Sequence, residues 1–248
     1  MRVKFLGTGD AFGSGGRHNT CFLVEGEKSS ILIDCGASAM IAIRKFGVDP
    51  NSVGTIVLSH LHADHFGGLP FFILDGQLVS RRTRPLTIAG PPGLNGRLEA
   101  LMEAHFPGSS KVQRKFSIDL IELIPEAPTT VGTEGLTVTA YTVMHPSGTP
   151  SFALRLACDD KVLTYTGDTE WVDALTKAGQ RADLLIAECY TFDRKLRFHL
   201  DYETLREKLP LIGAKRVILT HMSSEMLTRC ASISDYTPAD DGLEITID

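Results

Sequence analysis

Short apolar runs rich in β-branched residues recur along the chain, separated by turn-forming residues and by longer stretches of helical spacing. Residues 3–6 predict a first strand, closed by Gly7, Thr8, Gly9 and Asp10 and followed by the glycine-rich segment Gly13, Ser14, Gly15, Gly16. Neither GxGxxG nor Walker spacing occurs there, so the glycines do not mark a nucleotide-phosphate loop. Residues 20–25 and 30–34, with turn residues 26–29 between them, predict a hairpin, and residues 37–46 a helix ended by Gly47. The apolar run at 55–58 predicts a buried strand, residues 70–79 a buried helix, 86–89 a strand and 91–106 a helix. Beyond these, strands are expected at 117–124 and 136–143, a hairpin at 152–158 and 161–166, and a short helix at 170–177. Further strands follow at 183–187 and 214–219, with a last one at 242–247 pairing on a sheet edge.

Composition narrows the picture. The 248 residues, 43% hydrophobic and 22% charged, suit a soluble globular chain, expected as a single domain over 1–248. A formal charge of -5 argues against a general nucleic-acid-binding surface. The five cysteines are odd in number and form no CxxC pair, which gives no support to a zinc knuckle or a disulfide framework. No apolar run reaches membrane-spanning length, and Met1 leads directly into the first strand; a cytoplasmic location is expected.

The chemistry concentrates at the end of the run 55–58. There Ser59, His60, Leu61, His62, Ala63, Asp64 and His65 place three imidazoles and a carboxylate within six residues. Neutral imidazole and carboxylate suit a borderline divalent ion. His60 and His62, two apart, project to one side of an extended strand end, and Asp64 and His65 fall on the following turn, where they can face a second ion. A His-rich solvated turn would explain the composition but not this spacing. Other ligand-type side chains also follow apolar runs: His145, Asp168, Glu188 and His221. Side chains gathered from several strand tips make an active-site arrangement, because rigid strands fix their mutual distances.

The HxHxDH pattern of His60, His62, Asp64 and His65 resembles the signature of the metallo-β-lactamase fold hydrolases. The opening Phe5-Leu6-Gly7-Thr8-Gly9 and the segment Phe198-His199-Leu200-Asp201 are similar to the ribonuclease Z-like members. The resemblance covers nearly the whole chain. It implies an α+β fold, a four-layer αββα sandwich of two mixed sheets flanked by helices, a choice that composition alone leaves open. It implies two divalent ions, zinc or else manganese or iron. His60, His62 and His145 would hold one ion, Asp64, His65 and His221 the other, and Asp168 would bridge them. Asp34 would support the HxHxDH loop from beneath. His199 would protonate a leaving oxygen, Glu188 would orient it, and Asp64 is a further candidate proton acceptor. The attacking group would be a hydroxide shared by the two ions.

Two departures narrow the function. His145 and Asp168 lie only 23 positions apart, which leaves no room for the tRNA-gripping insertion of ribonuclease Z, so structured tRNA is not the expected substrate. Phosphodiesterases of phosphonate utilisation share the compact arrangement and a stretch similar to Asp241-Gly242-Leu243-Glu244, but their extra cysteine-based metal site is missing. The reading is a binuclear metal-dependent phosphodiesterase acting on a small or cyclic phosphodiester, with dimerisation as in relatives. The alternatives are a hydrolase of carboxylic or sulfate esters or lactones, a ribonuclease Z-type RNase, and a non-catalytic accessory protein on the same fold. Among the remaining polar residues, His18, His105 and the cluster Arg81, Arg82, Arg84 read as surface groups, and Arg194, Lys195 and Arg197 as a candidate anion-attracting patch.

Overall fold

Two seven-stranded sheets carry the chain in the computed structural model, which describes residues 1–26, 30–132 and 135–247. The first sheet contains β1 (Arg2–Gly7), β2 (Cys21–Glu25), β3 (Ser30–Ile33), β4 (Val53–Val57), β5 (Leu86–Gly90) and β6 (Ile118–Glu122). The second contains β7 (Thr129–Val131), β8 (Leu136–Val143), β9 (Ser151–Cys158), β10 (Lys161–Tyr165), β11 (Leu184–Glu188), β12 (Val217–Thr220) and β13 (Thr237–Pro238). β14 (Glu244–Thr246) returns to the first sheet and pairs with β1 at its edge.

Each sheet changes from antiparallel to parallel at its middle strand. In the first, β14, β1, β2 and β3 pair antiparallel and β3 to β6 parallel. In the second, β7 to β10 pair antiparallel and β10 to β13 parallel. The halves are therefore a structural duplication in which β3 corresponds to β10, β4 to β11 and β5 to β12.

Three apolar layers hold the sandwich. The central one is the seam between the sheets, where Phe5, Phe22, Phe152 and Tyr165 are completely buried. Phe5 and Phe22 lie 5.1 Å apart, and Phe22 meets Tyr165 edge-on at 5.3 Å, arrangements that suit the aromatic quadrupole. On the outer face of the first sheet, helices α1 (Ala39–Lys45), α3 (Leu69–Leu78) and α4 (Leu94–His105) bury Ile43, Phe72 and Leu98 against Leu32, Ile56 and Ile88. Between α1 and α3 runs the short helix α2 (Ala63–Phe66). The second sheet is covered by α5 (Ala174–Gly179), α6 (Tyr202–Ile212) and α7 (Ser224–Arg229). This is the expected αββα order.

The structure corrects several local expectations. The helix expected at 170–177 begins at Ala174, because Glu170 is drawn into a bridge with Met144. α6 is an unpredicted helix, in which Tyr202, Leu205, Leu209 and Ile212 form a buried stripe and the Asp201 carboxylate caps the start by accepting from the Thr204 amide at 2.9 Å. The helix expected to be buried at 70–79 is α3, and one of its faces is open, with Leu78 67% exposed. Arg82 is no surface group either. It is 3% exposed and donates to the carbonyls of Arg84, Pro85 and Pro50, ordering the approach to β5. Residues 27–29 of the expected hairpin turn lie outside the described residues.

Candidate metal centre

β4 runs through Leu58 and Ser59 to His60, and His62 is the extended residue that begins α2. Asp64 and His65 stand on that helix and not on a turn. From the second half, His145 follows β8, Asp168 follows β10, Glu188 ends β11 and His221 follows β12. The fold brings these strand ends to one edge. His60, His62 and His145 each offer a ring nitrogen, and the three lie within 4.8 Å of one another. Asp64, His65, Asp168 and His221 form a second group on the same criterion. The Asp168 carboxylate stands between the two groups, with Oδ1 3.4 Å from His65 Nε2 and Oδ2 at 3.4 Å from His221 Nε2 and 4.0 Å from His145 Nε2.

Beneath the first group, fully buried Asp34 fixes the ligand loop. Its Oδ1 accepts from the Ser59 amide at 2.7 Å, and Oδ2 lies 2.7 Å from Ser59 Oγ and 2.6 Å from His65 Nδ1. The bond to Nδ1 leaves His65 Nε2 facing the site. Asp34 and His221 both have left-handed backbone, with φ of 58° and 57°. Such conformations persist where the surroundings over-determine them. At Gly68 a Cβ would lie 2.2 Å from the Gly36 carbonyl oxygen, so only glycine lets the chain after the HxHxDH loop pass so close to the end of β3.

Burial pushes His60, His62 and His145 below the ordinary imidazole range and keeps them neutral, the form that ligates. The second group behaves differently. Burial opposes the charged form of His221, but Asp168 and Asp64 outweigh it and raise the imidazole to about 9. His65 is likewise held well above its usual range, against burial, by Asp168, Asp64 and Asp34. Burial works against ionised Asp168 and Asp64 too, yet facing imidazoles keep both below the usual carboxylate range. Several buried carboxylates that draw protons onto their neighbours mark a place where positive charge is in demand.

The donor set therefore fits divalent metal. His60 Nε2, His65 Nε2 and Asp168 Oδ1 are buried and have no hydrogen-bond partner, which would be costly for polar atoms without an ion to meet them. A third grouping, Asp168, Glu188, His199 and His221, also satisfies the spacing for a metal. Its hydrogen bonds speak for another role. Glu188 Oε1 contacts His199 Nδ1, while Oε2 accepts from the Thr169 amide at 2.8 Å and the Leu200 amide at 3.3 Å. Both oxygens are thus engaged. Burial, then the charge of Asp168, raises the Glu188 pKa, and the Glu188 bond raises that of His199 against burial. The pair is built to share a proton.

A cleft of about 170 Å³ opens over the groups, lined among others by Asp64, Asp168, His199, Tyr190 and Phe12. Tyr190 stacks on the His199 ring at 4.6 Å and limits its rotation. Neither Tyr190 nor Phe12 was singled out from sequence, since a lone aromatic in a loop carries no spacing signal. Asp241 was noted only within a resemblance. It accepts from Thr8 through its amide (2.9 Å) and hydroxyl (2.8 Å) and from the His18 amide at 2.8 Å, and the Thr8 carbonyl in turn accepts from the His221 amide at 3.0 Å. His18 and His105 are not brought into the groups, and Lys195 pairs with Asp201 at 2.9 Å instead of facing the cleft.

Comparison with known proteins agrees with this geometry. Over their full lengths, the chain and human tRNase Z, short form, superpose with a TM-score of 0.82 at 26% identity. The metallo-β-lactamase fold protein YhfI from Bacillus subtilis gives 0.77 at 21% identity, covering 99% of both chains. A curated ribonuclease Z from Agathobacter rectalis is 25% identical over 289 aligned positions, covering 96% of this chain and 91% of that protein. Another, from Alkaliphilus oremlandii, is 32% identical over 122 residues, which is 49% of this chain and 36% of the relative. The chain is a metallo-β-lactamase fold hydrolase of the ribonuclease Z-like kind. More narrowly, residues 1–237 match the family described as Anti-Pycsar protein Apyc1, and the chain belongs to that family.

Proposed function

We propose that the protein is a binuclear phosphodiesterase acting on a small or cyclic phosphodiester. The observation that carries this reading is the Glu188–His199 pair, a proton-sharing imidazole on the wall of a cleft floored by two ligand groups. His60, His62 and His145 would hold one ion, Asp64, His65 and His221 the second, and Asp168 would touch both; zinc, manganese or iron suits these donors. Two such ions would lower the pKa of a shared water and offset charge on the phosphoryl oxygens. The protein's own groups supply the rest. Asp64, kept ionised by His65 and His221, is held as an anionic donor and has no proton to give. His199, tied through Nδ1 to Glu188, keeps its other nitrogen for the leaving oxygen, and the carboxylate favours the protonated ring against burial. Tyr190 and the Leu200 amide bond to Glu188 hold this donor in place.

A small substrate is favoured by the cleft's size and by the tight β9–β10 hairpin, which joins His145 to Asp168 through Asp159 and Asp160 and carries no arm. Ribonuclease Z-type cleavage of RNA is the second reading, because the relatives of that name match along most of the chain. The test is hydrolysis of bis(p-nitrophenyl) phosphate by zinc- or manganese-loaded protein, beside a tRNA precursor. Diester turnover that falls about 10²–10⁴-fold in His199→Ala with metal content retained is the expected result. Turnover of the precursor alone would replace this reading with the second.

We further propose that two copies pair through the open face of α1 and α3. Ile41, Phe71, Leu78, Val79 and Phe106, half of the exposed large hydrophobics among the described residues, gather around one groove of about 620 Å³. The groove also holds the Arg44–Asp75 ion pair, so each copy brings one charge of each sign to a two-fold contact. Sedimentation should give a dimer mass for the wild type and a monomer mass for Leu78→Glu.

A further inference from the structure

Phe12 is 87% exposed, more than any other large hydrophobic side chain among the described residues, and it lines the cleft over the ligand groups. A single exposed ring elsewhere on a surface would need no explanation. This one is held out by a built support. The buried Asp10 carboxylate accepts from the Phe12 amide at 3.1 Å, the Ser14 amide at 2.9 Å and the Ser14 hydroxyl at 2.7 Å. Asn19 Nδ2 donates to the Asp10 carbonyl at 2.9 Å, and Ser14 Oγ meets Ser224 Oγ of α7 at 3.1 Å. The loop is thus pinned to both halves of the fold, and its backbone presents the ring at the mouth of the cleft.

Size gives the ring its task. The cleft of about 170 Å³ is well below the roughly 300–1,000 Å³ of pockets that enclose whole small molecules. A phosphoryl group and the atoms next to it fill it, and the remainder of any larger ester lies at the rim, where Phe12 stands. An exposed aromatic on a pinned loop beside a phosphate-sized cleft has the features of a stacking platform.

We propose that Phe12 is a specificity-determining residue, its ring stacking on a planar aromatic or heterocyclic group carried by the phosphoester whose phosphate occupies the cleft. The proposal rests on the phosphodiesterase reading for the placement of the phosphate. It selects esters of base- or aryl-bearing alcohols over esters of bare sugars.

The experiment is calorimetric titration of zinc-loaded wild type, Phe12→Ala and Phe12→Trp with thymidine 5′-phosphate and with ribose 5-phosphate. The wild type should prefer the base-carrying ligand by about tenfold or more, Phe12→Ala should lose that preference, and Phe12→Trp should restore it. With thymidine 5′-p-nitrophenyl phosphate as substrate, the alanine change should fall on KM and not on kcat. A preference that survives in Phe12→Ala, or is absent from the wild type, overturns the proposal. So does a Phe12→Ala protein that changes its sedimentation mass and keeps its preference, which would assign the ring to a contact between copies. A wild type that binds with the stated preference but turns over no diester would defeat the phosphodiesterase reading and leave the stacking role standing.

Discussion

The two halves of the sandwich are built alike and used differently. β3 ends in Asp34, and its counterpart β10 leads into Asp168. Both carboxylates are buried and both meet His65, Asp34 at Nδ1 and Asp168 at Nε2. One supports the ring from below while the other faces it across the site. β4 delivers four ligand-type side chains in six residues, whereas β11, in the equivalent place, ends in Glu188, whose two oxygens are taken up by His199, Thr169 and Leu200. The first half thus concentrates metal donors and the second contributes single donors and the proton-sharing pair. A duplicated scaffold can divide binding and proton transfer between equivalent positions without changing its sheet.

The sharpest way to break this comparison is to remove the carboxylate that faces the site. Asp168→Ala removes the carboxylate common to both proposed seats, so metal content measured by atomic emission should fall from about two ions toward none, with activity at background. His62→Ala should lose one ion only. Equal losses in the two variants would deny Asp168 its shared position. Next in size is Glu188→Gln. Glu188 raises the His199 pKa, so the protonated form lasts to higher pH in the wild type. Without the carboxylate, the alkaline limb of the kcat profile should move to lower pH while metal content holds; an unmoved limb would detach His199 from the rate. Asp34→Asn should have the smallest effect of the four, weakening zinc affinity about 10–100-fold in a competition titration with a chelator. A loss as complete as that in Asp168→Ala would erase the distinction between support and ligand.

The same asymmetry governs what could be read from the chain alone. The HxHxDH segment is legible because its donors are local, and the αββα order follows once that segment and the apolar runs are taken together. His145, Asp168 and His221 were legible as residues following apolar runs, but nothing local says that they meet. Glu188 was legible in the same way as a residue at a strand end, but its orienting role and that of Asp34 were readable only through resemblance, since a buried carboxylate there has many uses. Three features escaped for a common reason. Arg82 satisfies its guanidinium on backbone carbonyls, Phe12 is held by Asp10, and Asp241 clamps Thr8, and each depends on chain paths that no spacing records. The Apyc1 family match was likewise beyond the motifs, which point more broadly to ribonuclease Z-like proteins.

The clamp of Asp241 on Thr8 spans 233 positions and holds the carbonyl on which the His221 amide rests. Closing a contact of such separation costs more chain entropy than closing a local one. During synthesis the HxHxDH loop therefore emerges with its first-half support from Asp34 long before the strand that presents His221 can be locked. His60, His62, Asp64 and His65 thus precede in the chain both His145 and the strand end that carries His221, whose amide rests on the carbonyl of the clamped residue. One donor of the centre therefore depends on a contact that joins residues near the two ends of the sequence.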